Sequence, residues 1–575
     1  MGRHVLDVPT DVPVSTPSQP TSLGPVVDPE HRFPSAVPLL FEDADRIAAD
    51  KPAFVPCQEA REGAGDDLPA RLARMLEARD GASPSLGAHQ RLDAATSGAV
   101  LYAKSAAGNA ELARAFEGRG VGKRYVAIVA SRERIPEGLL VDRLLHERGV
   151  TRVDPRGDEA IARVRLIERR GLRALVEVHL ETGRTHQIRV QLASRGAPIV
   201  GDLLYGGAFA ERLMLHAEAL SLPGRDPIEA PRPAVFEDAL ADRARDPLRE
   251  LDLLRTRLVG ARERRYALGH AAARGTTAFR LLHADADGVP GLALDVYGDH
   301  LVAHLFREDV DEDALLDVVH GTLGFRSVYL KRRPVQANEL GDAGARERAP
   351  SAPLRGDGAL GEGVVFEHGV PYLVRLGDGL STGLFLDQRE ARRKLALLFE
   401  GRPGRLLNLF SYTCGFSVAA ALRGAETVNV DASKSALERG RAGLSFVGAD
   451  PTKHRFLHDD ALDVLPRLVR RGERFDAIVC DPPTYAKTKK HRWSSSKKEW
   501  SALFAQCLTL LAPGGTLYAS SNDQRLPHAA FRAAARAGAE QAQVSLAALR
   551  DAAVQEDFPP GPEGPSLRGL VALRG

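Results

Sequence analysis

The apolar pattern of this 575-residue chain changes period near Gly363, and no single core can serve both periods. Upstream, residues 124–129, 162–166 and 172–180 alternate apolar and polar side chains as half-buried strands do. With only a few helical stretches among them, they predict an α+β domain on a mixed, largely antiparallel sheet. Downstream, apolar strands and helices take turns, which predicts a doubly wound parallel sheet. The chain is expected to be multidomain.

Residues 1–35 are rich in Pro, Ser, Thr and Val without periodicity and read as a disordered leader. Residues 36–245 are expected to form the first domain, with a strand ended by Pro52 and helices at 69–76 and 106–118. A Pro- and charge-rich linker then passes into a helix at 248–265. Two strands flanking the turn Asp285-Ala286-Asp287-Gly288-Val289-Pro290-Gly291, a helix at 311–323 and a strand at 327–331 complete a small α+β domain within 246–362. Residues 363–575 are the last domain.

Net charge is only +2, so any contact with a polyanion must come from local patches. Of only 12 lysines, Lys487, Lys489, Lys490, Lys497 and Lys498 crowd one stretch with Arg492, Trp493 and Trp500. Cations interleaved with Trp suit single-stranded RNA, through phosphates and stacking. A plain solvated loop is the alternative. Cys57, Cys414, Cys480 and Cys507 form no CxxC pair and no zinc spacing, which points to reduced thiols and no bound metal. The chain has no run of 18 apolar residues and no signal-like apolar region at its start, so the expected location is cytoplasmic, off the membrane.

Candidate chemistry begins at His89-Gln90-Arg91-Leu92-Asp93-Ala94-Ala95-Thr96-Ser97-Gly98. An ionised Asp on a turn beside a strand can act as nucleophile or base, although most such Asp residues only cap local backbone. Lys123-Arg124-Tyr125, then Glu181-Thr182-Gly183-Arg184-Thr185-His186-Gln187-Ile188-Arg189, then Gly201-Asp202-Leu203-Leu204-Tyr205-Gly206 follow in register. The set resembles the RluA-type RNA pseudouridine synthases. The resemblance implies that Asp93 is the catalytic carboxylate, with Arg189 as its salt-bridge partner and Tyr125 stacking on a flipped uracil. It implies that Arg91 fills the space the base vacates, that Ile188 contacts substrate, and that no cofactor is needed. The family usually writes His-Arg-Leu-Asp; here Gln90 stands next to Arg91, and His89 is displaced by one position.

The C-terminal third reads as a nucleotide-cofactor fold. A strand at 405–410 runs into Ser411-Tyr412-Thr413-Cys414-Gly415 and a helix, and the next strand ends on Asp431, where a carboxylate can accept ribose hydroxyls. Asp460 ends a third strand and could accept from an adenine amino group; a fourth delivers Asp481-Pro482-Pro483-Thr484-Tyr485. Either NAD or S-adenosylmethionine fits strand-end carboxylates, and the paired prolines favour the latter. With Asp378-Gly379-Leu380-Ser381-Thr382-Gly383-Leu384-Phe385-Leu386-Asp387-Gln388-Arg389, the segment is similar to the large-subunit ribosomal RNA methyltransferases RlmI and RlmK, on a class I Rossmann-like fold. That resemblance implies S-adenosylmethionine contacts from Phe385, Asp387, Gln388, Arg389, Asn408, Phe410, Ser411, Tyr412, Gly415, Asp431, Asp460 and Asp481, the last also catalytic. The rigid turn of Pro482 and Pro483 with the Tyr485 ring is expected to hold the acceptor base, and Lys487, Lys489 and Lys490 beside it to contact the RNA.

Methylation of cytosine C5 needs a thiolate in the base pocket, and Cys480 adjoins Asp481. Strand alternation would turn Cys480 into the core if Asp481 faces the site. Guanine N7 needs only positioning and is the favoured acceptor. The expected protein is a bifunctional enzyme that makes pseudouridine and a methylated base in 23S ribosomal RNA. The rivals are cytosine C5 methylation, the same chemistries on transfer RNA, and an RNA-binding assembly factor with vestigial sites.

Overall fold

The computed structural model describes residues 32–58, 67–118, 120–270, 275–333, 348–357, 361–487 and 492–575. Residues 1–31 of the expected leader, and Lys489 and Lys490, lie outside the described residues. The chain divides into two compact units. One comprises Asp28–His270 with Asp285–Pro290; the other includes Ala271–Ala284 and Gly291–Gly575.

The first unit is built on an eleven-stranded mixed sheet whose core is Ser97–Ala103, buried along its whole length. Its neighbours are Arg46–Lys51, antiparallel, and Leu215–Ser221, the one parallel pairing of this sheet among the described residues. Beyond Leu215–Ser221 lie Gly122–Ala130, Arg173–Leu180, Asp158–Arg170, Gly138–Glu147 and Val150–Val153, all antiparallel. Gly98 makes the parallel contact possible. It sits at φ +116°, and a Cβ there would lie 2.2 Å from the Ala217 carbonyl oxygen. The Asp93 loop therefore enters a strand that only glycine lets approach so closely.

The two helices expected early in the chain form as Leu68–Asp80 and Ala106–Glu117, capped by the side chains of Asp67 and Ser105. The helix expected to open the small domain, Leu251–Arg264, packs instead within the first unit. Arg71 Nη2 donates to the Glu263 carbonyl at 3.1 Å, and the Arg264 guanidinium lies 3.7 Å from the centre of the Phe54 ring. Arg265 and Asp287 pair at 2.7 Å, which brings the 285–290 turn into this unit.

In the second unit, Ala278–His283, Leu292–Tyr297, His300–Leu305, Ser327–Arg332 and Arg355–Gly356 form a five-stranded sheet flanked by the helix Glu312–Leu323. The Tyr297 hydroxyl bonds Thr382 Oγ1 at 2.9 Å, tying this sheet to the loop that leads into Leu386–Gln388. The larger sheet runs, in spatial order, His454–His458, Glu426–Asp431, Arg405–Leu409, Phe475–Cys480, Leu511–Ser521, Arg568–Arg574 and Leu546–Asp551. Its first five strands are parallel; Arg568–Arg574 is antiparallel to both neighbours. The carboxyl ends of the parallel strands gather the loops that carry the second site. No described helix is long and apolar enough to cross a membrane.

Candidate active sites

In the first unit a cleft of about 610 Å³ opens between the Asp93 loop, Tyr125 and the helix Gln187–Ala193. Arg189 Nη1 donates to Asp93 Oδ2 at 3.0 Å. Its other donors form a fork on Asp202, Nε to Oδ2 at 2.7 Å and Nη2 to Oδ1 at 2.8 Å. Burial lowers the affinity of the guanidinium for its proton, but Asp202 and Asp93 outweigh that and hold it above its ordinary pKa. Tyr125 and Ile188 are buried yet line the cleft, and Arg91 lines it exposed. Five expected residues thus converge on one space.

Gln90, in the position next to Arg91, is buried, and its Nε2 has no hydrogen-bond partner among the described residues. The displaced His89 bonds the Asn109 side chain at 2.8 Å and stacks on Phe116. Two supports were not expected from the sequence. Lys51, fully buried, donates to the carbonyls of Pro52, Val55 and Ala94 at 2.9, 2.6 and 2.9 Å, so its Nζ pins the turn after Asp93, while burial lowers its pKa to about 7. Asp202 orients Arg189 from within a motif whose Gly201-Asp202 pair was the available signal.

In the second unit a cavity of about 520 Å³ is lined by Phe385, Asp387, Gln388, Asn408, Phe410, Ser411, Tyr412, Gly415, Asp431, Asp460, Asp481, Pro482 and Pro483. Asp431 Oδ2 accepts the Tyr412 amide at 2.7 Å and Oδ1 the Ser433 amide at 2.8 Å. Asp460 caps the helix Ala461–Arg470 through Leu462 N at 2.9 Å. Phe385 is 51% exposed with its ring 5.2 Å from that of Tyr412. The turn after the strand Arg405–Leu409 carries positive φ at Phe410, Tyr412 and Cys414, a conformation usually left to glycine. Under it, Asn408 Nδ2 donates to Ser417 Oγ at 3.0 Å, and Ser417 donates to Asn429 Oδ1 at 2.6 Å.

Asp481 is held from two sides. Ser520 Oγ donates to Oδ1 at 2.7 Å and Gln388 Nε2 to Oδ2 at 3.1 Å, while the Tyr518 hydroxyl donates to Gln388 Oε1 at 2.6 Å. Burial pushes the Asp481 carboxyl up to about 7, with Asp387 adding to the shift, and pushes Asp387 itself to about 6. Ser520 and Tyr518 had no signal in the sequence, because only the packing of strand 511–521 beside Cys480 brings them there.

Some expected contacts are corrected. Arg389 does not line the cavity: its guanidinium is buried and makes two 2.9 Å bonds to Asp557, which also accepts the Arg280 amide. Trp493 and Trp500 are not exposed stacking platforms. Both are buried, in an aromatic cluster with Phe504 and Phe531. Trp493 instead lines the cavity and fixes the proline turn by donating to the Pro483 carbonyl at 2.8 Å. The side chains of Tyr485 and Lys487 lie outside the described atoms; Lys497 and Lys498 are exposed in the first turn of the helix Lys497–Leu510. Cys480 points into the core, where burial and Cys507 drive its thiol pKa well upward. All four cysteines are buried, and none lines this cavity.

Comparison with known proteins matches both halves. The family model described as RNA pseudouridylate synthase covers residues 45–194, and that described as S-adenosylmethionine-dependent methyltransferase covers residues 344–548. Ribosomal RNA large subunit methyltransferase I of Aeromonas salmonicida (strain A449) is 33% identical over 335 residues, 56% of this chain and 80% of the relative. Ribosomal RNA large subunit methyltransferase K/L of Dichelobacter nodosus (strain VCS1703A) is 37% identical over 261 residues, 43% of this chain and 33% of the relative. The solved structure of the methyltransferase SMU.776, complexed with SAH, is 27% identical with a TM-score of 0.50, over 56% of this chain and 81% of that one.

Proposed function

Because the chain belongs to the large-subunit ribosomal RNA methyltransferase family, with an RNA pseudouridylate synthase domain ahead of it, we propose that it modifies two kinds of nucleotide in 23S ribosomal RNA. The first unit isomerises a uridine; the second methylates a base, guanine N7, in the cytoplasm. S-adenosylmethionine is the cofactor of the methyltransferase domain.

The observation that supports the first activity is the Asp93–Arg189 pair lining a cleft wide enough for a flipped base. Isomerisation breaks the C1′–N1 bond and rejoins the ring through C5. A carboxylate paired with a guanidinium at the mouth of such a cleft can attack C1′ or take a proton from C2′. Tyr125 offers a ring face for the uracil, and Arg91 an exposed cation for the duplex left behind.

For the second activity, S-adenosylmethionine supplies an electrophilic methyl group. Asp431 and Asp460, both in the cavity lining, would accept from ribose and adenine, and the rigid turn at Pro482-Pro483 would form one wall for the acceptor base. Attack by cytosine C5 would first require a thiolate at C6, and the cavity has no thiol in its lining. Guanine N7 presents its lone pair without such help. Lys497 and Lys498 offer phosphate contacts.

The test maps modified nucleotides in ribosomal RNA from a strain lacking the gene. One pseudouridine and one 7-methylguanosine of the large-subunit RNA should disappear and return with the intact gene. Unaltered large-subunit RNA, with changes only in transfer RNA, would reject the reading.

A further inference from the structure

Isomerisation leaves one proton without an acceptor among the residues assigned so far. Once C1′ is joined to C5, that carbon still carries its hydrogen, which must leave as a proton while N1 gains one. Asp93 is already engaged at C1′ or C2′ of the ribose, on the side of Arg189. Burial pushes the Tyr125 hydroxyl and the Cys57 thiol upward; it lowers the Lys123 pKa, but that side chain is packed over the Phe116 ring, 5.3 Å from its centre. None of these is a ready base.

We propose that His186 is the catalytic base that takes the C5 proton, an inference that rests on the isomerase activity of this unit. Its Nε2 lies 3.9 Å from Asp93 Oδ2 and its ring lines the same cleft, so it faces the space where Asp93 meets the ribose. Its Nδ1 lies 2.7 Å from the Tyr205 hydroxyl oxygen. That oxygen also accepts the Thr151 amide at 3.0 Å, which fixes it in place. In the tautomer that donates Nδ1–H to Tyr205, Nε2 carries its lone pair into the cleft. The residue is held at φ 55° immediately before the helix Gln187–Ala193, a left-handed backbone that aims the ring.

Every neighbouring element contributes a group that faces the ring: Asp93 from its loop, Arg189 from the helix, His146 from strand Gly138–Glu147, and Asp202. Burial, Arg189 and His146 lower its pKa; Asp93 and Asp202 oppose them, and the neutral base is favoured. In the step, the C5–H electron pair becomes the C5=C6 double bond. The N1=C6 pair withdraws onto N1, which takes a proton from water. The proton from C5 goes to Nε2, and the imidazolium, facing Asp93, later returns it to water.

The experiment uses the full chain and large-subunit ribosomal RNA transcribed with 5-deuterouridine triphosphate. The unaltered enzyme should isomerise protium and deuterium substrates at nearly equal single-turnover rates. His186→Gln should slow pseudouridine formation by about 10²-fold or more, and deuterium should slow it further, because loss of the C5 proton has become limiting. Tyr205→Phe, which keeps the ring but frees the imidazole tautomer, should give a smaller loss with the same isotope sensitivity. The proposal is overturned if His186→Gln keeps the unaltered rate, or if both variants slow without any isotope effect. Absence of pseudouridine with the unaltered enzyme would instead sink the isomerase reading.

Discussion

Arg189 Nη1 donates to Asp93 Oδ2 at 3.0 Å while the rest of the same guanidinium is clamped on Asp202. One cation therefore serves two carboxylates, one facing the cleft and one buried. Asp93→Asn should abolish pseudouridine formation and leave methylation and cofactor binding unchanged. Arg189→Lys keeps the charge but cannot fork, so isomerisation should fall about 10²-fold. Nucleotide-resolved pseudouridine mapping beside a methyl-incorporation assay checks both.

Asp431 accepts one hydrogen bond from each of two backbone amides on the wall of the cavity. Asp431→Ala should weaken S-adenosylmethionine binding about 10- to 100-fold, the equivalent of one or two charge-assisted hydrogen bonds. Isothermal titration calorimetry reads this directly. Unchanged affinity would remove Asp431 from the cofactor site.

The Asp481 and Asp387 carboxyls, at about 7 and about 6, hold protons in the folded chain that the unfolded chain has lost above about pH 4. Their contribution to stability is full below that value and is lost as pH rises through 6 and 7. A cationic ligand beside Asp481 favours the ionised form. Affinity for S-adenosylmethionine should therefore rise from pH 6 to pH 8, with a proton released on binding. In Asp481→Asn the pH dependence should flatten; the release is measured calorimetrically in buffers of different ionisation enthalpy.

Cys480 sits in the core beside Cys507, on the far side of the strand from Asp481. Cys480→Ser should retain methylation and cost only about 1–2 kcal/mol of stability, from the buried hydroxyl. The unaltered protein should form no covalent RNA adduct on a denaturing gel. A trapped adduct, lost in the variant, would move the acceptor to cytosine C5.

The motifs were legible because chemistry dictates residue types at strand ends and turns: Asp93, Arg189, Asp431 and Asp481 all reach cavities. What escaped was set by packing between distant segments. Arg389 sits next to Gln388 in the motif, but helix geometry turns it to Asp557, far along the chain. The Trp residues beside the lysines suggested stacking on RNA, yet the apolar area of Trp500 is worth more in the core. The hairpin of Gly138–Glu147 and Val150–Val153 gave no clean alternation, because Leu139, Val141, Val150 and Val153 are exposed. The helix Leu251–Arg264 carries no mark of the unit it joins; only its Arg and Glu partners decide that.

The turn through Phe410, Tyr412 and Cys414 reaches its positive dihedrals with bulky residues over a floor of bonded amides and hydroxyls. A glycine-rich loop of the same shape would sample many conformations when empty and forfeit that freedom on capture of its guest. Here the forfeit is made during folding, so the receptor waits already shaped. Amide hydrogen exchange across 410–415 should accordingly be slow before cofactor arrives, and change little afterwards.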